Sequence, residues 1–428
     1  MQPDRSVADE LCNLIDQSPS PFHAVDTAFH RLTGGGFVEQ QLDETFDGPG
    51  PRMVRRGGSL IAWRQPSKPP TAFRIVGAHT DSPNLRVKPN ADRTSAHFRQ
   101  LGVEVYGGAL VNSWLDRDLG LSGRLMLRGD DGPVQHLFRI DEPLLRVPQL
   151  AIHLDREIND KGLQLNPQTH LAPIWDLDTD RGSERSFLAT IAEAAHLDGP
   201  DDIVSWEAMV HDLTPSRRTG RNGVFVSAPR LDNLCSSFAA MHALLDTPAD
   251  ETGTVPLICL YDHEEVGSTS ATGADSQMLA AVIERIVAAA GGTRDDLLRA
   301  LAGSVCLSAD MAHATHPNYA DRHEPDHHVT VNAGPVVKIN ANQRYASDAG
   351  SIAIYLQACA DAGIPTQHFV GKNDIPCGST IGPVTSARLG ISTIDVGIAQ
   401  LAMHSARELC GADDPSWYQA SMTSFLTP

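Results

Sequence analysis

From Gly223 onward the chain repeats one rhythm, an apolar run of strand length followed by a helical stretch. VFVSA precedes a helix predicted over 232–245, and VPLICLYD precedes one over 276–290 that Gly291 and Gly292 close. SVCLSAD is a further strand, a helix over 348–362 ends at Gly363, and STIDVGI leads to a helix predicted over 405–410. Upstream, SLIAWRQ and AFRIVGA read as strands, and the second is apolar enough to be covered on both faces. Strands alternating with helices predict an α/β fold, a mostly parallel sheet flanked by helices. That architecture also constrains function, because open α/β sheets build their sites in the crevice beyond the strand carboxyl ends.

The flanking segments differ. The first 35 residues read as two helices. Ser20 can cap the second, Pro21 suits its first turn, and Phe22, Val25, Phe29 and Leu32 share one face before a triple glycine stops it. Between about 91 and 221 the pattern alternates instead, with a hairpin signal at Asp130, Asp131 and Gly132 and a polar, helix-poor stretch DREINDKGLQLNPQTH. We read a β-rich insertion over 93–221 within a larger domain formed by 1–92 and 222–428.

Charge and composition exclude several partners. Lys and Arg total 34 against 53 Asp and Glu, a net charge of −19 that argues against nucleic acid or an anionic membrane. The N-terminus lacks the apolar core of a signal peptide, and no apolar run reaches membrane-spanning length. The seven cysteines are odd in number and scattered, the usage of a reducing compartment, so a cytoplasmic protein is expected. No GxGxxG follows a strand and no P-loop occurs.

Five segments place acids or histidines just past predicted strand ends or at the following turn. They supply His79 and Asp81, Asp232, Glu264 and Glu265, Asp310, and His404. Each alone has an ordinary explanation, such as a helix cap or a solvated pair. Together in one crevice, four or five carboxylates would repel strongly without a counter-cation. Zn²⁺ accepts imidazole and carboxylate, and such sets also suit Mn²⁺ or Co²⁺. A metal pair needs a bridging carboxylate, terminal ligands and a carboxylate left over as base, and this inventory meets that count. The spacing of His79 and Asp81 suits a carboxylate that orients the imidazole.

HTDSPNLRVKP, RLDNL, YDHEEVGS, SADMAHATHPNY, NANQRYASD, NDIPCGSTIGP and QLAMHSARE also resemble the motifs of the aspartyl aminopeptidases, in order and over nearly the whole chain. These are cytosolic two-metal exopeptidases related to the tetrahedral aminopeptidases, with a zinc-exopeptidase-like fold. The resemblance implies that Asp232 bridges two metals. His79 and Asp310 would complete one site, and Glu265 and His404 the other. Glu264 would be the general base, acting on a water that bridges the metals, and Asp81 would support His79. It implies an N-terminal Asp or Glu as substrate residue, read by Lys338, with Arg344 a competing candidate. Tyr345 is either an oxyanion donor or a core tyrosine. The insertion would make dimer contacts in a tetrahedral dodecamer, and its His170 would reach a neighbouring subunit's site. His313, His316, His323, His327 and His328 read as loop or interface histidines, and Cys377 as part of a substrate-lining loop. Two rival functions share these residues: a deacylase or carboxypeptidase of related fold, and a catalytically silent self-assembling shell.

Overall fold

The computed structural model describes residues 1–178, 186–248 and 253–427. The chain forms two compact units. The first comprises Met1–Asp81, Ser216–Met403 and Glu408–Pro428; the second comprises Ser82–Pro215 and His404–Arg407.

A nine-stranded sheet organises the first unit. Its strands run in the order Val38–Glu39, Gly50–Arg56, Ser59–Gln65, Thr254–Tyr261, Ala72–His79, Val305–Ala309, Ser392–Gly397, Val336–Ile339 and Gln367–Val370. The central pairings of Ala72–His79 with Thr254–Tyr261 and Val305–Ala309, and of the latter with Ser392–Gly397, are parallel. Val336–Ile339 turns antiparallel to Ser392–Gly397. The α/β expectation therefore holds, with antiparallel strands towards the edges.

Both faces are covered, which explains the continuous apolar runs. Val76 and Ala78 point into a core closed by helices Ser6–Gln17, Pro21–Gly34, Leu231–Asp246 and Asp414–Leu426. Phe73 and Ile75 point the other way, against Met278–Ala289, Arg294–Ala302 and Ile381–Leu389. Each large aliphatic side chain fully buried this way contributes about 1.5–3 kcal/mol. Ser20 does cap Pro21–Gly34, its hydroxyl accepting the His23 amide at 3.4 Å.

Two local expectations are corrected. Residues 405–410 do not form a helix. Glu408–Gly411 is a strand, pairing antiparallel with Ala399–Leu401 and with Phe225–Ala228. VFVSA accordingly lies in this separate five-stranded sheet rather than the large one. Six residues are too few for helical nucleation to compete with two ladders of partners, so tertiary pairing overrides local preference.

The second unit is β-rich. Its six-stranded sheet is antiparallel throughout, in the order Val134–Leu145, Leu119–Leu127, Ile203–Asp212, Asn84–Ser95, Phe98–Tyr106 and Ile174–Leu177. The predicted hairpin closes at Leu127 opposite Val134. Leu85, Leu101, Trp114, Leu121, Phe138 and Val210 lie in its core. Among the described residues, no helix is long and apolar enough to cross a membrane.

Candidate metal centre

The candidate site of the first unit lies at the carboxyl ends of its parallel strands. His79 is the last residue of its strand, level with Tyr261 on the neighbour. Glu264 and Glu265 follow three and four residues after Tyr261, on a single 3-10 turn flanked by left-handed backbone at His263 (φ 65°) and Gly267 (φ 94°). Asp310 directly follows Val305–Ala309. Asp232 opens the helix Leu231–Asp246 with non-helical backbone (φ −81°, ψ 103°), after left-handed Arg230.

These side chains converge. Potential ligand atoms of His79, Asp232 and Asp310 lie within 4.8 Å of one another, and so do those of His79, Glu264 and Glu265. His79 Nε2 is 3.4 Å from Asp232 Oδ1 and 3.9 Å from Glu264 Oε2. Its Nδ1 is 3.0 Å from the Asp81 carbonyl oxygen and 3.5 Å from Asp81 Oδ1. The fully buried Asp81 carboxylate also accepts two amides, from Glu264 at 3.1 Å and from Glu265 at 3.2 Å. One carboxylate thus stands beside the imidazole and fixes the backbone of both glutamates.

Burial dominates the electrostatics. It pushes the Glu264 carboxyl up to about 8, with Asp310, Asp81 and Asp232 adding to the rise and His79 opposing it. Glu265 is raised well above its ordinary value by burial and then by Asp232. Asp310 rises to about 6 through burial, opposed by Lys338. For His79 burial disfavours the imidazolium, yet hydrogen bonds to Asp232 and Asp81 hold its pKa well above the usual range. Such a set holds extra protons in place of a cation. Carboxylates and one imidazole, buried within ligand distance, are the donor chemistry that a divalent metal replaces protons on.

The remaining predicted residues fall as follows. Lys338, on Val336–Ile339, is buried; its ammonium donates to the Met311 carbonyl at 3.1 Å, lies 3.7 Å from Asp310 Oδ2 and sits 5.1 Å from the Tyr345 ring centre. Tyr345 is buried against Phe369, and its hydroxyl pKa is raised by burial and by a hydrogen bond with Cys377. Tyr345 and Cys377 line a cavity of about 120 Å³. Arg344 is exposed. In the second unit, His404 adopts left-handed backbone (φ 66°) with Nδ1 3.1 Å from the Gly108 carbonyl oxygen. His170 stands on an exposed loop of that unit, its Nδ1 accepting the Asn166 amide at 3.0 Å. The histidines after Asp310 pair locally, His323 Nε2 accepting the His316 amide and His327 meeting Glu324. Among the described residues none of them joins a metal-sized cluster.

Three supporting residues escape a reading of the sequence. Glu408 accepts the Asp232 amide at 3.0 Å, Asn233 donates to the Ala309 carbonyl at 2.8 Å, and Ser237 donates to the His79 carbonyl at 2.8 Å. Only the position of Asn233 beside Asp232 hints at such a role.

Comparison with known proteins follows the same line. The family model described as "Aminopeptidase I zinc metalloprotease (M18)" matches residues 14–426. "Probable M18 family aminopeptidase 2" of Streptomyces coelicolor is 48% identical over 430 residues, covering 99% of this chain and 98% of that protein. The protein of the same name from Mycobacterium tuberculosis is 51% identical over 433 residues, covering 99% and 98%. Among solved structures, a chain of the Ape4–Nbr1 complex superposes with TM-score 0.94 at 36% identity, covering 100% of this chain and 87% of that one. The dodecameric mApe1 of Saccharomyces cerevisiae superposes with TM-score 0.86 at 27% identity, covering 98% and 96%. With a family model spanning nearly its whole length and close relatives over 99% of it, the chain belongs to the M18 family of zinc metallopeptidases and is an aminopeptidase.

Proposed function

We propose that this aminopeptidase removes N-terminal Asp or Glu from peptides with the help of two divalent metals, Zn²⁺ first and Mn²⁺ or Co²⁺ as alternatives. The observation that carries the reading is the convergence of His79, Asp232, Asp310, Glu264 and Glu265 at the strand carboxyl ends. His79, Asp310 and Asp232 would hold one metal; Asp232, Glu265 and His404 would hold the other, Asp232 bridging. Bound metals supply Lewis acidity to the attacking water and the scissile carbonyl.

The protein's own groups do the rest. Glu264 is the residue left over from ligation, and its place beside His79, with Oε2 3.9 Å from the imidazole, suits a base acting on water at the metals. It takes a proton from the attacking water and returns one to the leaving amine. Asp81 holds His79 and the glutamate turn in place. Tyr345 donates to the oxygen that gains charge as the carbonyl is attacked. Lys338 supplies positive charge for an acidic substrate side chain, which would replace the Met311 carbonyl as partner of the ammonium. This local charge resolves how a protein of net charge −19 attracts acidic N-termini.

The assembly belongs to the same proposal. A tetrahedral dodecamer of dimers, built through contacts of the inserted unit, would bring His170 of one subunit to the reacting carbonyl in another. The mApe1 structure is a dodecamer, which supports that reading. A cytoplasmic location accompanies it. The test is a kinetic screen of aminoacyl substrates in Zn²⁺, Mn²⁺ and Co²⁺. Asp and Glu substrates should lead; a strong preference for Leu or Arg would overturn the acidic assignment. Glu264→Gln should keep its metal and lose about 10²–10⁴-fold in kcat; a wild-type rate would overturn the base assignment.

A further inference from the structure

Asp395 is a fully buried carboxylate on Ser392–Gly397 that the chemistry above does not use. It gathers groups from three other segments. Oδ1 accepts the Ser308 hydroxyl at 2.6 Å and the Thr380 hydroxyl at 2.5 Å. Oδ2 accepts the Ala346 amide at 2.6 Å, and the Asp395 amide in turn donates to Ser347 Oγ at 2.9 Å. Ala346 and Ser347 are the two residues after Tyr345. Thr380 caps helix Ile381–Leu389 and ends the loop whose Cys377 packs with Tyr345 and lines the same cavity. The helix start packs so closely that a side chain at Gly382 would collide with the Asp395 carboxylate. Asp395 therefore grips Tyr345 on two sides, along its own backbone and through the loop it touches.

We propose that Asp395 is a positioning residue that acts through Tyr345, holding its hydroxyl where the reacting carbonyl arrives. The proposal rests on the role of Tyr345 given above. A buried side chain that ties three separate segments through three hydrogen bonds is a stiff anchor, because moving any one segment leaves a buried polar group unpaired. A displacement near 1 Å at a reacting group costs about a hundred-fold in rate, so anchoring matters for turnover. The hydrogen bonds, rather than the charge, are the anchor. An asparagine can keep its oxygen on the Ala346 amide and turn its amino group to Ser308 and Thr380, whose hydroxyls accept as well as donate.

The test is a cycle of Asp395→Ala, Asp395→Asn and Tyr345→Phe, singly and combined, on enzyme verified as folded and metal-loaded. Asp395→Ala should lower kcat about ten- to a hundred-fold with little change in KM. Asp395→Asn should stay within about five-fold of wild type. In the Tyr345→Phe background, Asp395→Ala should cost less than about two-fold further. Equal losses in both backgrounds, with Tyr345→Phe itself impaired, would overturn the Asp395 proposal alone. So would a folded Asp395→Asn as poor as Asp395→Ala. Tyr345→Phe at wild-type kcat would overturn the Tyr345 reading and the proposal with it. If Asp395→Ala does not fold, Ser347→Ala loosens the same segment, and its effect must likewise vanish in the Tyr345→Phe background.

Discussion

Replacing Asp81 by asparagine separates its tasks. Asp81 Oδ1 accepts the Glu264 amide at 3.1 Å and lies 3.5 Å from His79 Nδ1, whereas Oδ2 accepts the Glu265 amide, at 3.2 Å. An asparagine that keeps its oxygen on the Oδ1 side preserves both contacts there. Its amino group then faces the Glu265 amide, donor against donor. That loses one charge-assisted hydrogen bond at a buried position, about 1.5–3 kcal/mol. The opposite orientation orphans the Glu264 amide and puts a donor beside the imidazole, so it costs more. The damage should therefore travel to Glu265, the proposed metal ligand, and spare Glu264, the proposed base. Losses of supporting groups of this kind weaken metal binding about 10–100-fold. The assay is chelator competition on Asp81→Asn and wild-type enzyme, resolving the two binding steps, with kcat measured at saturating metal. We expect one step weakened by that factor, the other changed much less, and kcat at saturation within about ten-fold of wild type. Equal weakening of both steps, or none, would refute the argument.

Two further outcomes follow from burial. Because burial holds the carboxyl of Asp310 up at about 6 and that of Glu265 well above its ordinary value, these two proposed ligands keep protons to higher pH in the metal-free protein, and metal must displace them. Apparent metal affinity should rise from pH 6 to 8 with protons released, measured calorimetrically in buffers of different ionisation enthalpy; pH-independent affinity would contradict this. Of the seven thiols, only Cys377 is partly exposed, and burial pushes those of Cys235, Cys259 and Cys306 far up. A thiol reagent should modify one cysteine in the folded protein and seven in denaturant; two or more fast-reacting thiols in the folded state would contradict the packing.

The parts of this site that a sequence displays are those tied to local pattern. His79 and Asp310 stand at the ends of nearly continuous apolar runs, so the strand rule alone puts them at one edge of the sheet. The parts it conceals depend on contacts between distant residues. Asp81 meets the amide of Glu264 across 183 residues of chain, and Glu408 meets that of Asp232 across 176. Neither pairing has a spacing to read. Asp395 looks like a stray acid in an apolar strand until Ser308, Ala346 and Thr380 are seen to surround it. The misread helix over 405–410 has the same origin, because the partners of Glu408–Gly411 lie in strands that sequence patterns assign elsewhere.

The central claim is that this metal centre acts on free N-termini. The most direct measurement compares one peptide beginning with Asp and its N-acetylated copy, following release of the first residue with and without chelator. The account predicts cleavage of the free peptide alone, abolished by the chelator and restored by added metal. Cleavage of the acetylated copy at a comparable rate, or release from the other end of the peptide, would contradict it.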